Sequence, residues 1–182
     1  MKSKILTLAL LSLLMIFGTN LSAQQRTTGG EGYGSTLNVG LGVGGYYGYY
    51  NYIGRSLPVF HLNYEFDVAR NFTLAPFITF LSYRNDKYYY HETAIPLGVK
   101  GSYYLDQAFN ANSNWDFYIA GSLGFTIVNS RWDDGYVRHD GYRTARPLFL
   151  DLHLGAEYHL SNHIGLFLDL STGVSTVGLS FR

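Results

Sequence analysis

Ten ionisable side chains stand at alternating positions in segments that are otherwise apolar or small: His61, Glu65, Asp67, Lys100, Asp116, Asp151, His153, Glu157, Asp169 and Arg182. In an extended chain, successive side chains point to opposite faces, so residues confined to every second position share one face. A face carrying six carboxylates, two cations and two histidines could do one of two things. It could conduct protons or ions, or it could form a buried polar network. Unpaired buried charge is very costly, so in the second case carboxylates from neighbouring strands gather on Lys100 and Arg182. Tyr118, Phe149, Phe167 and Phe77 fall on the same face. Their bulk favours a packed polar plug that sets strand register over an open path.

Three further motifs bear on chemistry. Gly40-Leu41-Gly42-Val43-Gly44-Gly45 satisfies the glycine pattern of a dinucleotide loop, but Tyr-rich sequence follows where such a site needs a helix. Small residues there suit a strand wall approached by bulky side chains. Asp134-Gly135-Tyr136 and Asp140-Gly141-Tyr142 repeat a tight-turn signal. With Asp133 they meet no calcium-loop spacing, so no metal site is assigned. His159-Leu160-Ser161-Asn162 offers a histidine and a serine, but hydrolysis also needs a carboxylate to orient the histidine; Asp169 is the nearest substitute. No cofactor is implied.

The elements that must position these residues are strands. From Trp115 to Val128, the odd positions Trp115, Phe117, Ile119, Leu123, Phe125 and Ile127 alternate with Asp116, Tyr118, Ala120, Ser122, Gly124 and Thr126. The same alternation runs through Leu37–Gly44, Phe60–Asp67, Ile95–Tyr103, Leu148–Glu157, Ile164–Ser171 and Thr176–Arg182. Phe72–Tyr83 is apolar on both faces and contains Pro76, which makes it the weakest strand assignment. Eight such runs suit strands tilted across a hydrocarbon core. Short connections at Ala69–Asn71 and Ser161–His163 sit between longer ones at Gly48–Ser56, Arg84–Glu92 and Asn129–Arg146. Asp106–Asn114 is long for a turn of the first kind, and Thr172–Val174 is short for a loop of the second.

The N-terminus reads as a secretory signal. Lys2 and Lys4 precede an apolar run from Ile5 to Phe17, too short for a membrane helix, and Leu-Ser-Ala ends at Ala23. Removing Lys2 and Lys4 from the 13 basic residues leaves 11 against 13 acidic ones, a net charge near −2. No basic excess points to nucleic acid. With no cysteine, an exported domain of this size needs stability from something other than disulfides. After the signal only Lys87 and Lys100 remain as lysines, alongside 17 tyrosines. A soluble barrel would cover its outside with long charged side chains. Here the polar face is built of Gly, Ser, Ala, Thr and Asn, which suits a narrow lumen, and the Leu- and Phe-rich face suits lipid. Aromatic clusters at Tyr46–Tyr52, Tyr88–Tyr90, Tyr103–Tyr104 and Trp115–Tyr118 resemble interfacial girdles.

With the Gly-rich LNVGLGVGG, the runs DFYIAGSLGF and LFLDLHLGAEY, and the closing VGLSFR, the chain from Ser35 to Arg182 resembles the small OmpA-like and OmpX-like outer-membrane β-barrel proteins of Gram-negative bacteria. Those proteins usually end on an aromatic residue; here Phe181 is followed by Arg182. The resemblance implies an all-β, eight-stranded, antiparallel up-and-down transmembrane β-barrel in the cell outer membrane, inserted by the barrel-insertion machinery. The expected organisation is a signal peptide over 1–23, a short periplasmic segment over 24–34 and the barrel over 35–182. His159-Leu160-Ser161-Asn162 also looks like the His-x-Ser-Asn element of outer-membrane lipid A deacylases, but the strand order puts it at a periplasmic turn. The amphipathic helix that precedes palmitoyltransferase barrels is not offered by Gln24–Gly34. In or beside the outer loops lie Arg55, Arg84, Lys87, Arg131, Arg138, Arg143 and Arg146, against Asp86, Glu92, Asp133, Asp134 and Asp140. Arginine forks suit phosphate, and Arg131, Arg143 and Arg146 are the candidates for lipopolysaccharide contact. The expected partners are outer-membrane lipid and lipopolysaccharide, with no nucleic acid; an extracellular ligand is left open. The expected function is a non-enzymatic barrel with a side-chain-filled lumen and a structural, surface-interaction or adhesion role through its loops. A lipid A-modifying hydrolase and a narrow pore for small solutes are the alternatives.

Overall fold

A computed structural model describes Tyr33 and residues 35–44, 57–85, 90–105, 114–132 and 148–182. The strands are β1 (Thr36–Gly44), β2 (Leu57–Ala69), β3 (Phe72–Asn85), β4 (Tyr90–Tyr104), β5 (Trp115–Trp132), β6 (Leu148–His159), β7 (Ile164–Ser171) and β8 (Val174–Phe181). Each pairs antiparallel with its sequence neighbour, and β8 returns to β1. The sheet is therefore a closed barrel with no free edge among these pairings. The connections after β2, β4 and β6, the lead-in to β1 and the end of β8 share one end, the turn side. The connections after β1, β3, β5 and β7 share the other, the loop side.

Alternation becomes inside and outside. On β6, Leu150 is 67% exposed while its neighbour Asp151 is 3% exposed. Leu123, Leu152, Leu154, Leu168 and Val177 are exposed on the outer wall, whereas Glu65, Lys100, Asp116, Glu157 and Asp169 are buried. β3, apolar on both faces, resolves the same way: Thr73, Ala75, Thr79 and Leu81 are buried while Ile78 and Phe80 are exposed. Its Pro76 is outward and exposed, paired to Val99 of β4. The β2–β3 ladder skips the positions opposite Pro76, and the β3–β4 ladder skips those opposite Pro96. A proline has no N–H to give, so each gap falls where a donor is missing. At the turn between β2 and β3, Asn71 takes φ 58°, a left-handed conformation that asparagine tolerates better than most residues.

Two expectations are corrected. β3 reaches Asn85, β4 begins at Tyr90 and β5 continues to Trp132, so Arg84 pairs with His91 and His91 with Arg131 on strands and not in loops. Ladder hydrogen bonds join backbones and continue where the alternating apolar face has ended. The doublet Tyr103–Tyr104 is also split: Tyr103 is 46% exposed on the wall and Tyr104 is buried inside.

Candidate functional site

The interior carries two clusters of charge. At mid-barrel, Lys100 on β4 reaches across the lumen to Asp169 on β7, Nζ to Oδ2 at 3.0 Å, with both side chains almost fully buried. Tyr118 donates its hydroxyl to the same Oδ2 (2.9 Å), and His153 Nδ1 donates to Oδ1 (2.7 Å). The other nitrogen of His153 meets Ser122 Oγ at 2.9 Å. Lys100 Nζ also lies 5.0 Å from the centre of the Tyr118 ring. Asp169 thus has three donors on its two oxygens, which is how a carboxylate is held out of water.

The second cluster is at the turn side. Arg182 Nη2 lies 3.2 Å from Asp116 Oδ2 on β5 and 3.0 Å from Glu157 Oε1 on β6. His159 Nε2 is 2.7 Å from Asp116 Oδ2 and 3.0 Å from Arg182 Nη2. One ring nitrogen cannot donate and accept at once; the shorter contact, to a carboxylate, requires the proton on Nε2. Ser180 also donates its hydroxyl to Glu157.

Two carboxylates expected to gather on the cations are satisfied otherwise. Glu65 accepts from Thr73, from Tyr104 (2.6 Å) and from Asn38 Nδ2 (3.3 Å). Asp151 accepts from Thr172 Oγ1 at 3.2 Å. The reason is geometric: hydroxyls from β3, from β4 and from the β7–β8 connection reach these acids, while Lys100 is held by Asp169. His61 fills a neutral role, with Asn63 Nδ2 donating to its Nε2 (3.1 Å) and its Nδ1 donating to Thr79 Oγ1 (2.8 Å). Asp67, half-buried at the turn-side rim, accepts from the backbone N–H of Tyr33 (3.2 Å).

The pairs sequence reasoning missed were hydroxyl donors: Thr73, Tyr104 and Ser180 all stand at inward alternating positions. Tyr33 carried no such signal, because it precedes the first strand. Its ring is buried and stacks on Tyr104, with centroids 3.7 Å apart and planes 12° from parallel.

Aromatic side chains fill much of what the polar groups leave. Phe149 and Phe167 are buried, and Phe77 meets the rings of His61 and Phe149 at 5.7 and 6.1 Å. The wall is thinned to admit them. A Cβ at Gly155 would stand 1.9 Å from Tyr118 Cζ, and one at Gly40 would stand 2.9 Å from Phe167 Cζ. Above Lys100 on the loop side remains a cavity of about 30 Å³, lined by His61, Thr79, Pro96, Phe149, Asp151 and Thr176 among others. That is room for about two waters.

His159 and Ser161 do not form a catalytic pair in this geometry. His159 is turned to Asp116, while Ser161 Oγ accepts the backbone N–H of His163 (3.3 Å) and Ile164 (3.1 Å) as a turn cap. No group of three or more metal-ligating side chains comes together among the described residues. Arg143 and Arg146, with Asp133, Asp134 and Asp140, lie outside the described residues, and of Arg131 only the backbone is described.

No family model matches the chain, and no curated protein matches it. Solved structures do. The chain is similar to the crystal structure of Neisserial surface protein A, with a TM-score of 0.56 at 11% identity over 81% of this chain and 95% of that one. It is also similar to the Yersinia pestis outer membrane protein Ail in a phospholipid bilayer nanodisc, with a TM-score of 0.50 at 10% identity over 84% of this chain and 99% of that one. The fold is that of an eight-stranded transmembrane β-barrel. At such low identity the likeness lies in the backbone path.

Proposed function

We propose that the chain is an outer-membrane protein with a filled lumen, which acts as a structural or surface-interaction element through its loop-side connections. The observation that carries this reading is the inverted burial order: leucines stand exposed on the wall while carboxylates are buried inside. The exposed Leu148, Leu150, Leu152 and Leu154 on β6 would cost a water-soluble protein both solubility and stability, whereas hydrocarbon solvates them. Tyr64, Tyr103 and Trp115, exposed near the turn-side ends of their strands, suit the aromatic belt of a membrane interface. Both structural neighbours are, by name, proteins of the bacterial surface or outer membrane. The turn side then faces the periplasm and the loop side faces outward.

Cell fractionation with gel migration of boiled and unboiled protein tests the membrane barrel. A soluble chain, or one without a heat-dependent shift, overturns it. Planar-bilayer recording tests the filled lumen, and the expected result is no stable large conductance; porin-sized steps overturn it. We also propose lipopolysaccharide contact by Arg131, Arg143 and Arg146, because arginine forks match lipid A phosphates. Substituting all three by alanine is expected to reduce co-purifying lipopolysaccharide. Unchanged co-purification leaves the loops without that role.

A further inference from the structure

The two ends of the lumen are closed by different means. On the loop side the cavity lined by His61, Asp151 and Thr176 runs down to the Lys100–Asp169 pair. On the turn side there is a column of rings. Tyr118, bonded to Asp169, meets Tyr104 with centroids 5.5 Å apart, and Tyr104, bonded to Glu65, is covered by Tyr33. Tyr33 is the outermost ring of this column and belongs to no strand. It is held from three sides. Its N–H donates to Asp67 on β2, its carbonyl accepts from Thr36 Oγ1 on β1 (3.1 Å), and its ring lies flat on Tyr104 of β4. This residue of the lead-in, tied to three strands, is 6% exposed, and its ring covers the Tyr104 that bonds Glu65.

We propose that Tyr33 is the stopper of the turn-side mouth, so that water and small cations reaching the rim at Arg182 do not pass inward to Glu65. The ring does the sealing, because a flat contact with Tyr104 excludes solvent over its whole face. The two backbone bonds hold the ring in place. Glu65 depends on that seal. Its partners among the contacts above are neutral hydroxyls and an amide, and water arriving from below would compete for the same oxygens.

The chain has no cysteine, so single-cysteine reporters read access without background. Ser102, 1% exposed, lies in register between Thr73 and Ala120, next to the ring column, and its hydroxyl has no hydrogen bond to lose. Ser122 lines the loop-side cavity. The probe is a small cationic methanethiosulfonate, applied to the full barrel in lipid vesicles carrying Ser102→Cys or Ser122→Cys. Tyr33→Ala is expected to raise labelling at position 102 by about tenfold or more while leaving position 122 within about twofold, as local opening of one end requires. Tyr33→Phe, which keeps the ring, is expected to label as slowly as Tyr33. Unchanged labelling at 102 overturns the stopper, and so does equal acceleration at both positions, which reports a loosened barrel. Should Tyr33→Ala fail to fold, Thr36→Val, which removes one tie, carries the test with a smaller acceleration at 102 alone. The inference rests on the filled-lumen reading, and the two fail separately. Porin-sized conductance with Tyr33 intact sinks that reading, whereas a silent barrel with Tyr33-independent labelling sinks the stopper alone.

Discussion

The mid-barrel and turn-side clusters solve the same problem, charge inside a narrow lumen, in opposite ways. Lys100 is a compact cation that takes one carboxylate, and the rest of Asp169 is satisfied by Tyr118 and His153. Arg182 is a planar fork that reaches two carboxylates, Asp116 and Glu157, with a side chain still 19% exposed. A point charge suits full burial, where every remaining lone pair must find a neutral donor. A guanidinium suits the rim, where its unused donors reach water. The middle cluster is therefore a unit that fails when any part is removed, and the rim cluster is one that loosens by degrees.

Removing Lys100 is the strongest way to break that contrast. Lys100→Ala leaves Asp169 buried without its cation and is expected to cost about 3–5 kcal/mol, measured by urea unfolding in lipid vesicles. Lys100→Met with Asp169→Leu is expected to recover most of that loss, since the pair is then replaced by apolar volume; if the double variant is as unstable as the single, the cost belongs to packing and not to charge. The next effect concerns the wall. Leu152→Arg puts a charge on the outward face and is expected to cost about 2–4 kcal/mol in a bilayer. A neutral result in vesicles would place that face in water. Gly155→Ala comes third. Its methyl group must displace the Tyr118 ring that completes the middle cluster, at about 1–3 kcal/mol, and the readout is slower refolding into lipid with a lower urea midpoint. Last is the rim: Arg182→Ala is expected to cost only about 1 kcal/mol, because Asp116 keeps His159 and Glu157 keeps Ser180. A loss equal to that of Lys100→Ala would erase the distinction between the two clusters.

Much of this was legible in order of chain position. Period-two alternation separates Leu150 from Asp151 and Leu168 from Asp169, and barrel closure turns that separation into wall and lumen. Even β3, apolar on both faces, obeys it, because Thr73 and Thr79 mark the inner side that Phe77 obscures. The strand ends beyond Val128 and Tyr83 were not legible. Pairing there rests on backbone hydrogen bonds, which no side-chain pattern records.

Residue types and their spacing determined by themselves that the chain forms strands, how many, and which face of each is polar, since all three follow from the two-residue repeat of an extended backbone. Only the closed barrel decided the partners. Lys100 meets Asp169 69 positions away and Arg182 meets Asp116 66 away. Neither distance is written in alternation, because contacts across a lumen depend on the stagger accumulated around the ring until β8 meets β1. Tyr33 is the extreme case. It lies outside every repeat, and it has a place only once the mouth it covers exists.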